Sequence, residues 1–352
     1  MGMEVDFLLI GQGLAGTVLS YRLIKSGYSV LVIDQPESNN SSRVAAGLYN
    51  PLTGRKMVKT WNADLLFPEI EPLYETMEQE FGTNFLFKKP IYRPFLSVEE
   101  QNEWMGNSSD SKFQTYLEKI HTKSLFEEVV NEHGGVMLAQ SGYLDINTLL
   151  DVYSKFLLEK DFLLEESFEE NELGFGDGKI TYRDIEARGI VYCNGLGAMK
   201  SAFFKYLPFS PVKGEILDLE QEFHPKEIIN RGVFRIALEN GLVRVGSTYS
   251  WHDLDEGPTE RAKNELYDRL DNLMKIQNKK LVVHKSGVRP ATKDRRPMLG
   301  KHPDHDCVYI FNGFGAKGVS LIPYYSKMMF DLLVNQNQPH IDVNISRFFK
   351  YI

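Results

Sequence analysis

The sequence predicts an α/β chain, α+β overall, in which a parallel doubly wound sheet is interleaved with a layer built on an antiparallel sheet plus helices. Three observations predict it. An apolar strand at residues 5–10 runs into Gly11-Gln12-Gly13-Leu14-Ala15-Gly16, then a helix, then a second apolar strand ending in Asp34. Two more apolar runs, 189–193 and 307–312, each enter a glycine-rich turn. Between them, residues 233–238 and 242–246 alternate apolar and polar around Asn240-Gly241, the preferred dipeptide of an antiparallel hairpin turn. Antiparallel hairpins belong to a different layer from a doubly wound sheet.

The first unit reads as a Rossmann-like dinucleotide site. Gly11 turns the chain sharply off its strand, Gly13 lets backbone N–H groups approach a pyrophosphate, and Gly16 lets the helix pack closely on the strand. The helix N-terminus offers N–H donors and the positive end of its dipole to phosphates. Asp34 sits near the ~20-residue spacing expected of an acid that binds a ribose hydroxyl, which favours NAD or FAD over NADP.

The other elements follow in order. Leu14, Val18, Leu19 and Leu23 form the apolar stripe of a helix over 14–25, stopped by Gly27. A polar loop over 35–42 begins at Gln35. The small residues of Arg43-Val44-Ala45-Ala46-Gly47-Leu48-Tyr49-Asn50-Pro51 suit either backbone pressed against a flat group or an ordinary tight loop. Residues 68–120 read as a charged helical insertion, with helices at 69–81 and 97–105. A helix over 145–158 is capped by Asp145, and a strand covers 163–168. A helix is expected over 259–277. Another, carrying Leu321, Tyr324, Tyr325, Met328, Met329 and Leu332, follows the turn Gly313-Phe314-Gly315-Ala316-Lys317-Gly318.

Composition narrows the class. With 42% hydrophobic and 12% aromatic residues among 352, the chain can support two cores. A formal charge of −8 gives no basic field to recruit nucleic acid or an anionic membrane. No apolar run approaches the ~20 residues of a membrane span, and the first strand starts too early for a secretory leader. Cys193 and Cys307 both lie in strand-like apolar contexts and read as reduced core residues, so a cytoplasmic location is expected. The eight histidines show no metal-binding spacing, so no metal is expected, and Gly-x-Ser-x-Gly is absent.

Nucleotide-type pieces stand at the start, middle and end, so the domains are expected to be discontinuous. Residues 1–65, 140–208 and 285–352 form one, and 66–139 and 209–284 form the other, the substrate domain.

Four separated blocks carry a resemblance. They are Gly11 to Gly16 with Asp34; Arg43 to Pro51; the stretch 191–198 with Pro211-Val212-Lys213-Gly214-Glu215; and Gly287-Val288-Arg289-Pro290-Ala291-Thr292-Lys293-Asp294-Arg295-Arg296-Pro297-Met298-Leu299-Gly300 with Gly313 to Gly318. Together they span nearly the whole chain, and the pattern resembles the D-amino-acid-oxidase-type FAD-dependent oxidoreductases, the glycine oxidase and sarcosine oxidase group above all. The resemblance is thinnest over 68–120 and the hairpin, the parts that shape the substrate cavity.

The resemblance implies a non-covalent FAD in extended form, since no cysteine stands in the last turn. It assigns the adenosine and pyrophosphate to Gly11, Gln12, Gly13, Leu14, Ala15, Gly16, Asp34 and Gln35, with Ala45, Ala46 and Gly47 as backbone contacts. Phe168 meets the adenine through its backbone, and Asn194 and Gly195 stand at the middle strand's end. The isoalloxazine lies against Gly313, Phe314, Gly315, Ala316, Lys317 and Gly318, where the helix N-terminus stabilises negative charge on the reduced ring.

The same resemblance makes Arg289 the anchor of a substrate carboxylate, since guanidinium offers a planar fork for two parallel bonds. The residues alone favour a structural arginine paired with Asp294 or Glu215, and the resemblance reverses that order. Lys317 either meets a second substrate oxygen or is a solvated turn lysine. Tyr249 and Trp251 either wall the cavity or belong to a core. The function implied is oxidation of the C–N bond of a small amino acid or N-substituted glycine-like amine, by hydride transfer to flavin N5 and hydrolysis of the imine. The alternatives are a flavin-dependent tRNA-modification protein acting on a carboxymethylaminomethyl-type uridine, for which Arg55, Lys56 and Lys59 are the basic residues to inspect, and a non-catalytic FAD-binding protein.

Overall fold

A computed structural model describes residues 2–35, 40–54, 56–176, 178–254 and 257–351. Two large sheets organise the described residues, eight strands in each. The first is centred on the strand Met3–Ile10, which pairs in parallel with Val30–Asp34 on one side and Ile185–Tyr192 on the other. Leu163–Glu165 extends it beyond Val30–Asp34, and Val308–Asn312 pairs in parallel with the end of Ile185–Tyr192. Phe7, Leu8, Leu9, Val30, Val32, Ile190 and Val191 are buried, as expected of strands covered on both faces.

Helix Leu14–Lys25 has the bounds that its apolar stripe predicts, and Val18, Leu19 and Leu23 are buried. It packs against the C-terminal helix Gly318–Asn335, which also packs against Ala63–Phe81. Tying of the two ends is polar as well: Arg22 donates to Ser326 Oγ at 2.6 Å and to the Pro323 carbonyl at 2.9 Å.

The second sheet runs in the order Lys280–Arg289, Val212–Glu220, Val243–Gly246, Val233–Ala237, Ile228–Arg231, Ile91–Pro94, Gly135–Leu138, Leu117–His121. All its pairings are antiparallel except that between Ile91–Pro94 and Ile228–Arg231. The hairpin forms with Gly241 at φ 82°, and Leu238 N–H donates to the Leu242 carbonyl at 2.9 Å. It lies in this second sheet, apart from the parallel one. Strand Lys280–Arg289 runs without a break through the 284/285 position expected as a domain boundary.

Residues 68–120 correct the helical reading. They include the strands Leu86–Lys88, Ile91–Pro94 and Leu117–His121, two of which belong to the second sheet. Ile91–Pro94 is buried throughout, and so short a buried strand shows no periodicity for sequence to read. The first helix there begins at Ala63 and contains both Pro68 and Pro72. Burial of Leu66, Phe67, Ile70, Leu73, Tyr74 and Met77 along one side offsets the backbone hydrogen bonds that the prolines remove.

Smaller differences have local causes. The helix expected over 259–277 is Glu260–Leu273, because Met274 turns extended at ψ 141° and bridges to Val129. The strand expected over 163–168 stops at Glu165, which leaves Phe168 in a loop with its ring against Tyr182 and Tyr192. Helix Ile146–Glu159 is capped as expected, with Asp145 Oδ1 accepting from Thr148 N–H at 3.2 Å. Cys193 and Cys307 are both free and buried. Among the described residues no helix is long and apolar enough to cross a membrane.

Candidate active site

A cavity of about 1640 Å³ is lined from both sheets. That exceeds the ~300–1,000 Å³ of an ordinary small-molecule pocket and leaves room for a dinucleotide together with a substrate.

At one end the wall is the first strand-turn-helix. Gly11 has φ 99°, a conformation that strains any side chain, and a Cβ on it would stand 2.8 Å from the Asn194 Cα. A Cβ on Gly16 would stand 1.9 Å from the Gly11 carbonyl oxygen, so the helix seats on the strand only without one. Asp34 Oδ1 accepts from the Gln12 N–H at 2.9 Å, which fixes the carboxylate at the mouth of the turn. Ser42 Oγ accepts from the Leu14 N–H at 3.1 Å, and this hydroxyl lines the cavity at the helix N-terminus. Sequence reasoning missed it, because nothing local singles out one serine in a polar loop.

Gly11, Gly13, Leu14, Ala15, Asp34, Gln35, Ala45, Ala46, Gly47, Phe168, Asn194, Gly195, Arg289, Phe314, Gly315, Ala316, Lys317, Gly318 and Tyr249 all line this one cavity. Gln12, Gly16 and Gly313 stand outside the lining. The Gln12 side chain is buried the other way, donating to Thr17 Oγ1 and to the Leu150 carbonyl, each at 3.2 Å. A Cβ on Gly313 would meet Thr292 Cγ2 at 2.7 Å, so this glycine serves the turn.

In the middle, Asn194 Oδ1 is buried without a hydrogen-bond partner among the described residues. Asn312 Nδ2 donates to the Gly195 carbonyl at 2.9 Å, which joins the second and third glycine-rich turns. An unpartnered amide oxygen, a glycine cradle at a helix N-terminus and an acid at the second strand's end are the features a dinucleotide such as FAD uses. The residues present therefore fit FAD.

At the far end stands Arg289, the last residue of its strand. Nη2 donates to Ser247 Oγ at 2.9 Å, and Nη1 to the carbonyls of Thr248 at 3.3 Å and Lys213 at 3.4 Å. The guanidinium carbon lies 4.5 Å from the centre of the Tyr249 ring. Neither acid that sequence offered as a structural partner reaches it. Glu215 is held by the Thr259 N–H at 2.8 Å and by Thr259 Oγ1 at 2.9 Å, with Lys213 Nζ at 3.6 Å. Asp294 is held by Arg347 Nε at 2.9 Å. Burial pushes the Arg289 guanidinium below its ordinary value, against a smaller opposing effect from Tyr249.

Lys317 caps the C-terminal helix at its start and rests on Thr53 Oγ1 at 3.4 Å and Thr60 Oγ1 at 3.5 Å. Burial, then repulsion from Arg295, pushes its ammonium below the usual lysine value. It forms no ion pair among the described residues. Tyr249 and Trp251 are 55% and 54% exposed and stack on each other, so neither belongs to a core. Of the basic trio considered for tRNA, Lys59 is bonded to Asp64 at 2.5 Å, Lys56 is exposed, and Arg55 lies outside the described residues.

The chain is similar to known proteins over nearly its whole length. The family profile described as FAD dependent oxidoreductase matches residues 6–332. Glycine oxidase of Pseudomonas putida is 29% identical over 365 residues, which cover 97% of each chain. Among solved structures, glycine oxidase from Bacillus cereus ATCC 14579 superposes with a TM-score of 0.78 at 18% identity, covering 96% of this chain and 97% of that one. Iminodiacetate oxidase from Chelativorans sp. BNC1 also gives 0.78, at 20% identity, covering 97% and 98%.

Proposed function

The chain belongs to the FAD-dependent oxidoreductase family, and from that premise we propose that it oxidises the C–N bond of a small amine bearing a carboxylate, an amino acid or an N-substituted glycine. The observation that carries this reading is Arg289: a part-buried guanidinium on the cavity wall that no carboxylate of the described residues neutralises. A buried charge left so is costly unless a ligand supplies the counter-ion.

Gly11, Gly13, Leu14, Ala15 and Asp34 would hold the adenosine and pyrophosphate of FAD, and Gly315 to Gly318 its ring end. Segments 1–65, 140–208 and 285–352 would form the FAD-binding domain, with the rest shaping the substrate cavity. When bound, FAD supplies the two-electron acceptor. Arg289 would bind the substrate carboxylate through Nε and the remaining hydrogen of Nη2, with Ser247 and the carbonyls of Thr248 and Lys213 fixing the guanidinium plane. Tyr249 covers one face of that guanidinium, its ring centre 4.5 Å from the guanidinium carbon. Lys317 stands near the ring end, where burial and Arg295 lower its pKa and an anion would favour its charged form. No side chain of the chain is asked to remove a proton, because a neutral amine can lose its Cα hydrogen as hydride. Water then hydrolyses the released imine to a 2-oxo acid and an amine or ammonia.

The test is anaerobic addition of glycine, sarcosine and iminodiacetate to the purified yellow protein. Bleaching of the flavin band by at least one of them, with the matching 2-oxo acid as product, is expected. A flavin that none of these amines reduces, but that a 2-hydroxy acid does reduce, would contradict the reading.

A further inference from the structure

A buried ammonium lies behind Arg289, on the face of the second sheet turned away from the cavity. In the strand Val212–Glu220, Gly214 and Ile216 line the cavity, so Lys213 and Glu215 point the other way. Lys213 is 1% exposed. Its Nζ stands 3.1 Å from Asp253 Oδ2 and 3.6 Å from Glu215 Oε1. Glu215 is already engaged at the start of the helix Glu260–Leu273, where it accepts from the Thr259 N–H and hydroxyl. The direct hydrogen bond of the ammonium therefore goes to Asp253.

We propose that Lys213 is a positioning residue for the carboxylate site: through Asp253 it holds the segment 247–253 in place, and with it the Tyr249 ring over Arg289. The inference rests on the reading of Arg289 given above and names what keeps that site formed. The segment runs alongside the strand of Lys213. Thr248 Oγ1 accepts from the Glu215 N–H at 3.0 Å, the Lys213 N–H donates to the Ser250 carbonyl at 2.9 Å, and the Ser250 N–H donates to the Lys213 carbonyl at 3.0 Å. That carbonyl also accepts from Arg289 Nη1 at 3.4 Å, so one peptide group joins the guanidinium to the segment.

Tyr249 is thus held from both sides. Before it, Ser247 and Thr248 bond to Arg289; after it, Ser250 and Asp253 bond to Lys213. The ring itself is 55% exposed and stacks on an equally exposed Trp251, so burial does little to keep it in place. A cation–π contact is gained only while the ring stays within ~6 Å of the charge. The Lys213–Asp253 pair suits that task, because an ammonium taken this far out of water is costly to leave without its partner.

The experiment titrates acetate, a bare carboxylate, into the oxidised holoenzyme and reads its Kd from the flavin absorbance. Asp253→Ala is expected to raise that Kd about 3- to 10-fold, as for a lost cation–π contact, with FAD content unchanged. Asp253→Glu should recover part of the loss. Lys213→Met should match Asp253→Ala, and the double variant should do no more than either alone. In a Tyr249→Ala background Asp253→Ala should change Kd no further, a result that a general loss of stability does not produce. Asp253→Ala carries the test whether or not Lys213→Met folds, since the Asp253 side chain is 40% exposed and Lys213 keeps Glu215 beside it. A Kd that Asp253→Ala leaves unchanged overturns the proposal, as does an equal rise on top of Tyr249→Ala. If Arg289→Lys weakens acetate and Asp253→Ala does not, only this inference falls. If acetate binds wild type and Arg289→Lys alike, the reading of Arg289 falls and takes this one with it.

Discussion

Arg289 lies flat across Gly214: a Cβ on that glycine would stand 2.0 Å from Nη2 and 2.3 Å from Cζ. The Tyr249 ring covers the guanidinium at 4.5 Å from its centre, and Ser247 Oγ holds one nitrogen in plane. Gly214 pairs with Gly287 across the two strands, so the seat is built where neither strand offers a side chain. An arginine fixed in this way loses little entropy on gripping a planar anion.

Gly214→Ala is therefore expected to act through Arg289. Its methyl group would force the guanidinium out of its seat, and KM for a carboxylate-bearing amine should rise about 10- to 100-fold. FAD content should hold, since the first glycine turn is remote in the fold. Steady-state kinetics with the flavin-to-protein ratio checks both. An unchanged KM would mean that the guanidinium is not held there.

Gly16→Ala should do the reverse. Its methyl group would stand 1.9 Å from the Gly11 carbonyl, so the helix must lift off the strand and carry the phosphate-facing N–H groups with it. Purified variant is expected to be largely colourless, and added FAD should no longer raise its Tm. A yellow variant with wild-type FAD content would contradict the fit of the dinucleotide to this turn.

Asp294 ties the loop after Arg289 to the C-terminal segment. Burial alone would raise its pKa, but hydrogen bonds from Arg347 and the Arg296 N–H outweigh it and hold the carboxyl below its ordinary value of 3.8. Its stabilisation is thus complete above that value and is lost as pH falls through the depressed one. The Tm gap between wild type and Asp294→Asn should be widest near neutral pH and shrink toward pH 3. A gap independent of pH would show that the carboxylate charge contributes nothing.

How much was legible in the sequence depended on how local each signal was. The strand-turn-helix from Met3 to Asp34 and the hairpin around Asn240-Gly241 form largely as read, because glycine spacing and turn chemistry act within a few residues. Strand Ile91–Pro94 gives no such local signal: its four buried residues stand between Lys88-Lys89-Pro90 and Phe95-Leu96, and their partners come from 135–138 and 228–231. The site divides the same way. Arg289, Lys317 and Gly214 stand in recognisable blocks, whereas Ser42 and Ser247 matter only through neighbours distant in sequence.

The central claim is that Arg289 binds the substrate carboxylate, and the most direct measurement is the ratio of kcat/KM for sarcosine to that for N-methylpropylamine, in wild type and in Arg289→Lys. Lysine keeps the charge but loses the planar fork, so the ratio should fall about 10- to 100-fold, a loss of roughly 1.5–3 kcal/mol, while the variant keeps its FAD. A ratio that the substitution leaves unchanged, or a variant that loses FAD and both activities together, would contradict the account and return Arg289 to a structural role.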